Sequence, residues 1–166
     1  MYQFFDKKCV KIKDSSVSLY YSGEFFNHNN FFQDIRLISH ALYLYQIKHI
    51  VALRLRYINE IKPNGVKLKE IINQEFGNYN FLPYKSDIVR ALTRTEYNFE
   101  DYNLILQYGQ FNLNYPSRII KDDFILDYEA VSNNWESLSE LEYTFNDLNK
   151  IIGDFYEKHL NLIVSR

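Results

Sequence analysis

The sequence predicts an α+β fold: one antiparallel β-sheet of about six strands, in the order ββ-α-β-α-βββ-α, with a long C-terminal helix packed on one face. Three observations carry that expectation. Residues 51–61 alternate in a period of two, with Val51, Leu53, Leu55, Tyr57, Asn59 and Ile61 on one side and Ala52, Arg54, Arg56, Ile58 and Glu60 on the other, as a half-buried strand requires. Residues 87–131 hold three β-rich runs separated by turn-forming residues. From Leu141 an apolar stripe runs through Phe145, Leu148, Ile152, Phe155, His159 and Leu162 at alternating spacings of four and three, the pattern of one helix face.

The elements follow in order. Short runs over residues 2–5 and 9–13, on either side of Asp6-Lys7-Lys8, and a third after Asp14-Ser15-Ser16 form a hairpin or meander. His28-Asn29-Asn30 offers capping side chains, and Phe31, Ile35, Ile38, Leu42 and Tyr45 make the apolar face of a helix over 31–47. Pro63-Asn64-Gly65 ends the alternating strand. Residues 66–76 read as a short helix and the stretch after them as a loop. Strands over 87–99 and 104–113 pair as an antiparallel hairpin, 92–99 against 104–111, and a third strand covers 122–131. Ser137-Leu138-Ser139-Glu140 has the form of a capping box at the start of the last helix. A stripe of that length needs a wide apolar partner, and a twisted sheet is one.

The 166 residues fit a single domain, 1–166, able to bury a core without disulfide or metal. Fifteen Tyr and thirteen Phe against one Trp and one Met mean a core built of rings. The one cysteine, Cys9, excludes an internal disulfide framework and suits a reducing cytoplasm. No basic-then-apolar leader pattern opens the chain and no apolar run reaches the length of a membrane span, so a cytoplasmic protein without a membrane partner is expected. The net charge of −2 is no signature of nucleic-acid binding, but its distribution is uneven. Residues 48–94 carry nine cations against four carboxylates, and residues 95–166 carry thirteen carboxylates against five cations. Either the two segments attract each other within the fold, or the basic segment meets an acidic partner.

The run Leu53-Arg54-Leu55-Arg56-Tyr57-Ile58-Asn59-Glu60-Ile61 resembles an internal strand motif of a sporadically distributed bacterial family of unknown function. The helix before it, and Asp127-Tyr128-Glu129-Ala130-Val131 followed by the last helix, occur in the matching order. The resemblance spans most of the chain and implies an α+β fold. It brings no catalytic motif. Members of that family are usually longer, with an N-terminal β-rich segment that this chain lacks.

Catalytic and metal-binding patterns are sparse. His28, His40, His49 and His159 nowhere stand three or four residues apart, and no CxxC or HExxH is present, so neither a metal nor a cofactor is expected. No glycine-rich phosphate loop and no GxSxG elbow occurs. Asp122 and Asp123 are adjacent and point to opposite strand faces; Asp127 and Glu129 share a face, expected to look into water. The remaining candidates are Arg54, Arg56 and Glu60 on one strand face and Arg94, beside Glu96, on a later strand. Two readings stay open for this set: a salt-bridged outer face, or a docking face of guanidinium groups among tyrosines.

The expectation for function is therefore a non-catalytic protein-binding or regulatory module. It would serve as an inhibitor, antitoxin or chaperone-like protein in a bacterial or phage defence or counter-defence setting, with a protein partner or a homodimer. A nucleic-acid-associated protein using the basic strand, and a small-ligand protein with its pocket between helix and sheet, are the alternatives.

Overall fold

The structure is a computed structural model, and it describes residues 8–13, 15–23, 26–62, 91–110, 112, 124–134 and 136–160. The elements are β1 (Cys9–Lys13), β2 (Ser16–Tyr20), α1 (His28–Leu44), β3 (His49–Ile50), β4 (Arg54–Ile61), β5 (Ala91–Asn98), β6 (Tyr102–Gln110), β7 (Phe124–Ser132), β8 (Glu136–Ser137) and α2 (Leu141–Leu160). The fold is α+β with antiparallel pairing throughout, as the alternating runs require. The described strands form three sheets, however, where one was expected: β1-β2, β3-β8 and a four-stranded sheet ordered β4-β7-β6-β5. The predicted run over residues 2–5, the predicted helix over 66–76 and loop after it, the first residues of the predicted 87–99 strand, and Asp122 and Asp123 lie outside the described residues. The chain resolves into two compact units, Met1–Lys48 and His49–Arg166.

In the first unit, β1 and β2 form a ribbon with Cys9 opposite Tyr20 and Lys13 opposite Ser16. The chain then enters α1 through Asn27, whose side chain accepts from the backbone N–H of Asn29 and Asn30. The cap is thus one residue ahead of the expected His28-Asn29-Asn30. Tyr21, Phe26 and Phe31 meet edge to face or tilted at 5.7–5.9 Å between ring centroids. Phe31 and Ile35 are buried, but Tyr45, the last residue of the expected apolar face, is exposed. The helix stops before it. Gln46 takes a left-handed φ of 62°, Gln46 N–H bonds to Tyr43 O and Ile47 N–H to Leu42 O, which closes the end as a Schellman motif.

In the second unit, β7 and β6 are the central strands of the sheet. The register Leu55↔Ala130↔Leu104 and Tyr57↔Tyr128↔Leu106 fixes one face as apolar. Leu104, Leu106, Phe124, Leu126, Tyr128 and Ala130 are all almost fully buried there. Burial of each large side chain stabilises by roughly 1.5–3 kcal/mol, so this layer dominates the energetics of the unit. Helix α2 covers this face, packing on β7 and β4. Tyr57 Oη donates to Asn149 Oδ1 at 2.8 Å, and Tyr128 meets Tyr156 edge to face at 5.8 Å. Leu141, Leu148 and Ile152 of the predicted stripe are buried; the side chain of His159 lies outside the described residues.

Two expectations shift locally. The strand over 51–61 breaks at Val51–Leu53, and Val51 is exposed. Its partner bends at the same level, so β3 pairs with β8 (His49↔Ser137) and β4 with β7 (Arg54↔Val131) on either side of the break. The expected capping box is also displaced. Ser137 belongs to β8 and its hydroxyl lies by Ser139, while Glu140 O accepts from Thr144 N–H and so takes the cap position. The β5–β6 hairpin turns on two residues, Glu100-Asp101, and pairs Leu92 with Gly109. That register differs from the expected one by two residues, which leaves every side chain on its predicted face.

Candidate functional site

The alternation of β4 places Arg54, Arg56 and Glu60 on the sheet face opposite α2. The register Arg94↔Gln107↔Asp127↔Ile58 brings Arg94 to the same face. The four residues therefore share one surface, but β4 and β5 are the two ends of the described sheet. Three interstrand steps put Arg94 about 14 Å from the β4 arginines.

Each of these cations is matched by a carboxylate. Arg56 forms a fork on Asp127, Nε to Oδ1 at 2.8 Å and Nη2 to Oδ2 at 2.5 Å. Arg54 Nη1 donates to Glu129 Oε1 at 3.1 Å, Arg94 Nε to Glu96 Oε1 at 2.7 Å, and Lys62 stands 3.4 Å from Glu60. The sequence reading put Asp127 and Glu129 in water, and the structure corrects it: both are paired and largely buried. Asp127 is 3% exposed, and Ile125 on the same face is fully buried. The reason is the position of β7 between β4 and β6: side chains of both neighbours fence its outer face, and the arginines reach diagonally across to it. Asp127 and Glu129 were thus the partners that sequence reasoning missed. Three of these pairs join the basic middle segment to the acidic last one, Arg54–Glu129, Arg56–Asp127 and Arg94–Glu96.

A second surface lies on the helix-covered face, at its β5 end. Tyr97 and Phe99 follow each other on one side of β5 and its continuation, with rings stacked at 6.2 Å and 20°. Phe99 faces Tyr102 across the hairpin turn, stacked at 4.6 Å and 26°. Phe155 of α2 closes the row against Tyr97 at 5.6 Å. Tyr97 is 38% and Phe99 36% exposed. The turn that carries the row is pinned: Phe99 N–H bonds to Tyr102 O, Asn133 N–H to Asp101 O, and Asn133 Nδ2 to Phe99 O. The sequence signal for this row was the spacing of two between Tyr97 and Phe99 just ahead of a turn; their stacking on Tyr102 needed the register.

The first unit holds a polar cluster in a shallow cavity of about 280 Å³ lined by Lys8, Tyr21, Asn30, Gln33 and Asp34. Lys8 Nζ donates to both oxygens of Asp34 at 3.0 and 2.7 Å, and Tyr21 Oη donates to Asp34 Oδ2. Burial works against the Asp34 charge, but the bonds from Lys8 and Tyr21 outweigh it and hold the carboxyl below its ordinary range. Burial, with the Asp34 bond and charge, pushes the Tyr21 hydroxyl up to about 12. The three groups satisfy one another and tie the residue before β1 to α1.

Cys9 is a half-buried free thiol in β1. Among the described residues no three His, Cys, Asp or Glu side chains come together as a metal site, and no helix is long and apolar enough to cross a membrane. Comparison with protein-family models, with curated proteins and with solved structures finds no match to this chain.

Proposed function

We propose that this chain is a non-catalytic protein-binding module that regulates, inhibits or chaperones a partner, with the sheet of its second unit as the docking element. The observation that carries the reading is the row Tyr97, Phe99, Tyr102. Large rings, ordered by stacking and by a pinned turn, reach solvent, Tyr97 and Phe99 by more than a third of their surface, and such aromatic side chains are the anchors of protein interfaces. Because the row is already fixed, little side-chain freedom is lost when a partner docks. The cytoplasm, and a defence or counter-defence setting in a bacterium or phage, is the context proposed for this activity. The outer face supports the nucleic-acid reading less well. Its described cations Arg54, Arg56, Lys62 and Arg94 each meet a carboxylate, so the positive field that phosphate needs is locally cancelled.

Native mass spectrometry of the protein after mild affinity purification from its host lysate tests the proposal. A discrete heteromeric mass that disappears in the Tyr97→Ser/Phe99→Ser variant is the expected result. A bare monomer or homodimer from the unaltered chain would overturn it.

A further inference from the structure

From the surroundings of the aromatic row we infer that its occupant is an arginine-rich segment of the partner protein, laid across Tyr97, Phe99 and Tyr102. The inference deepens the protein-binding reading and rests on it. Rings alone would accept any apolar or planar group, but the charges around them discriminate. The turn that joins Phe99 to Tyr102 is Glu100-Asp101, two exposed carboxylate-bearing residues at the end of the row where those two rings stack. Residues 95–117 contain Glu96, Glu100 and Asp101 and no lysine or arginine. Among the described residues Glu100 and Asp101 meet no cation, whereas Arg94, the nearest arginine along β5, is held by Glu96 on the opposite sheet face. On α2, Asp154 and Glu157 beside Phe155 are exposed as well.

Aromatic faces carry negative potential and attract a cation set over them, and carboxylates at the rim add a second attraction of the same sign. A guanidinium fits both: its plane stacks on a ring while its edge forks to a carboxylate. A phosphate backbone is repelled by the same rim, and an acidic peptide likewise. The stacking of Tyr97 on Phe99 and of Phe99 on Tyr102 leaves no gap in the row, so a guanidinium stacks at its Tyr102 end, beside the Glu100-Asp101 turn, instead of inserting between rings, and the rest of the segment runs along the exposed ring edges.

The test is an amide and aromatic NMR titration of the full chain with a short capped arginine-rich peptide, and with its glutamate counterpart as control. Shifts confined to residues 96–104 and to α2 around Phe155, with no response to the glutamate peptide, are expected. Tyr102→Ser should weaken binding about threefold to fivefold, the worth of one cation–ring contact. Glu100→Lys/Asp101→Lys, which keeps every ring, should weaken it about tenfold or more through like-charge repulsion. Unaltered melting temperatures establish that both variants fold. Absence of localised shifts, or equal binding by the charge-reversed variant, would overturn the inference. If the heteromeric mass is lost on Tyr97→Ser/Phe99→Ser but the arginine peptide does not bind, the docking surface stands and its cationic occupant falls.

Discussion

Two arginines two residues apart on β4 serve different purposes. The partner of Arg56 is buried and the partner of Arg54 is not, so the same chemistry has different weight. Arg56→Leu strands the Asp127 carboxylate without its cation, and is expected to cost about 2–3 kcal/mol, the lower part of the range because Arg56 itself is half exposed. Arg54→Ala removes a pair whose guanidinium is 67% exposed and is expected to cost under about 1 kcal/mol. Urea unfolding of both variants checks the contrast, and equal losses would refute the distinction between the two pairs. The Lys8–Tyr21–Asp34 tie makes a prediction in pH. The Tyr21 hydroxyl is raised from 10.0 to about 12, so its neutral form is favoured by folding. The stability it contributes is fully present below pH 10 and is lost as pH rises from 10 toward 12. Asp34 is shifted down, so its contribution is present above the ordinary carboxylate range and is lost as pH falls below it. The gap in melting temperature between the native chain and Tyr21→Phe should therefore be wider at about pH 8 than at about pH 11; a gap independent of pH would exclude the coupling.

At the scale of elements, the end of α1 is a point of avoidable strain. Gln46 pays for a left-handed backbone that glycine adopts freely. Gln46→Gly is expected to stabilise by about 0.5–1 kcal/mol, since the side chain's steric penalty in that region exceeds the added freedom of the unfolded glycine. A lower melting temperature for the variant would show that the side chain makes a compensating contact. Helix α2 is held by its buried stripe. Leu148→Ala is expected to cost about 2–4 kcal/mol by leaving a cavity over the sheet, whereas Tyr143→Ala, on the exposed side of the same helix, should stay within about 0.5 kcal/mol. Denaturant midpoints separate the two, and comparable losses would mean that α2 buries a different face.

At the scale of the molecule, the two units differ in how they can be stabilised. The second has a four-stranded sheet with a helix on one face and a fully buried layer between them. The first has, among its described residues, a two-stranded ribbon and one helix, with only Phe31 and Ile35 buried on that helix. A lone hairpin and a single helix are each marginal in water. The fragment 49–166 is therefore expected to unfold cooperatively on heating, and the fragment 1–48 to show no cooperative transition, when each is followed by circular dichroism. A disordered 49–166 fragment would show that its core is incomplete without the preceding residues. Charge is matched within the second unit, where pairs join the basic middle segment to the acidic last segment.

Local periodicity alone determined the strand over most of 54–61, the helical course of 31–44 and of the chain from 141, the hairpin between β5 and β6, and the assignment of Arg54, Arg56 and Glu60 to one face. Each of these depends on side chains a few residues apart, whose relative direction the backbone repeat dictates. Tertiary structure decided everything that joins distant residues. Asp127 could be read as facing water because β7 looks like any alternating strand until it is flanked on both sides. Arg54 and Glu129 stand 75 residues apart in the chain, and only the register of β4 on β7 brings them together. The break at Val51–Leu53 depends on β7 bending at the same level, and the row from Phe155 through Tyr97 to Tyr102 needs α2 laid on the sheet. Which residues pair across strands is set by the sum of many weak contacts over the whole sheet, and no single stretch of sequence contains that sum.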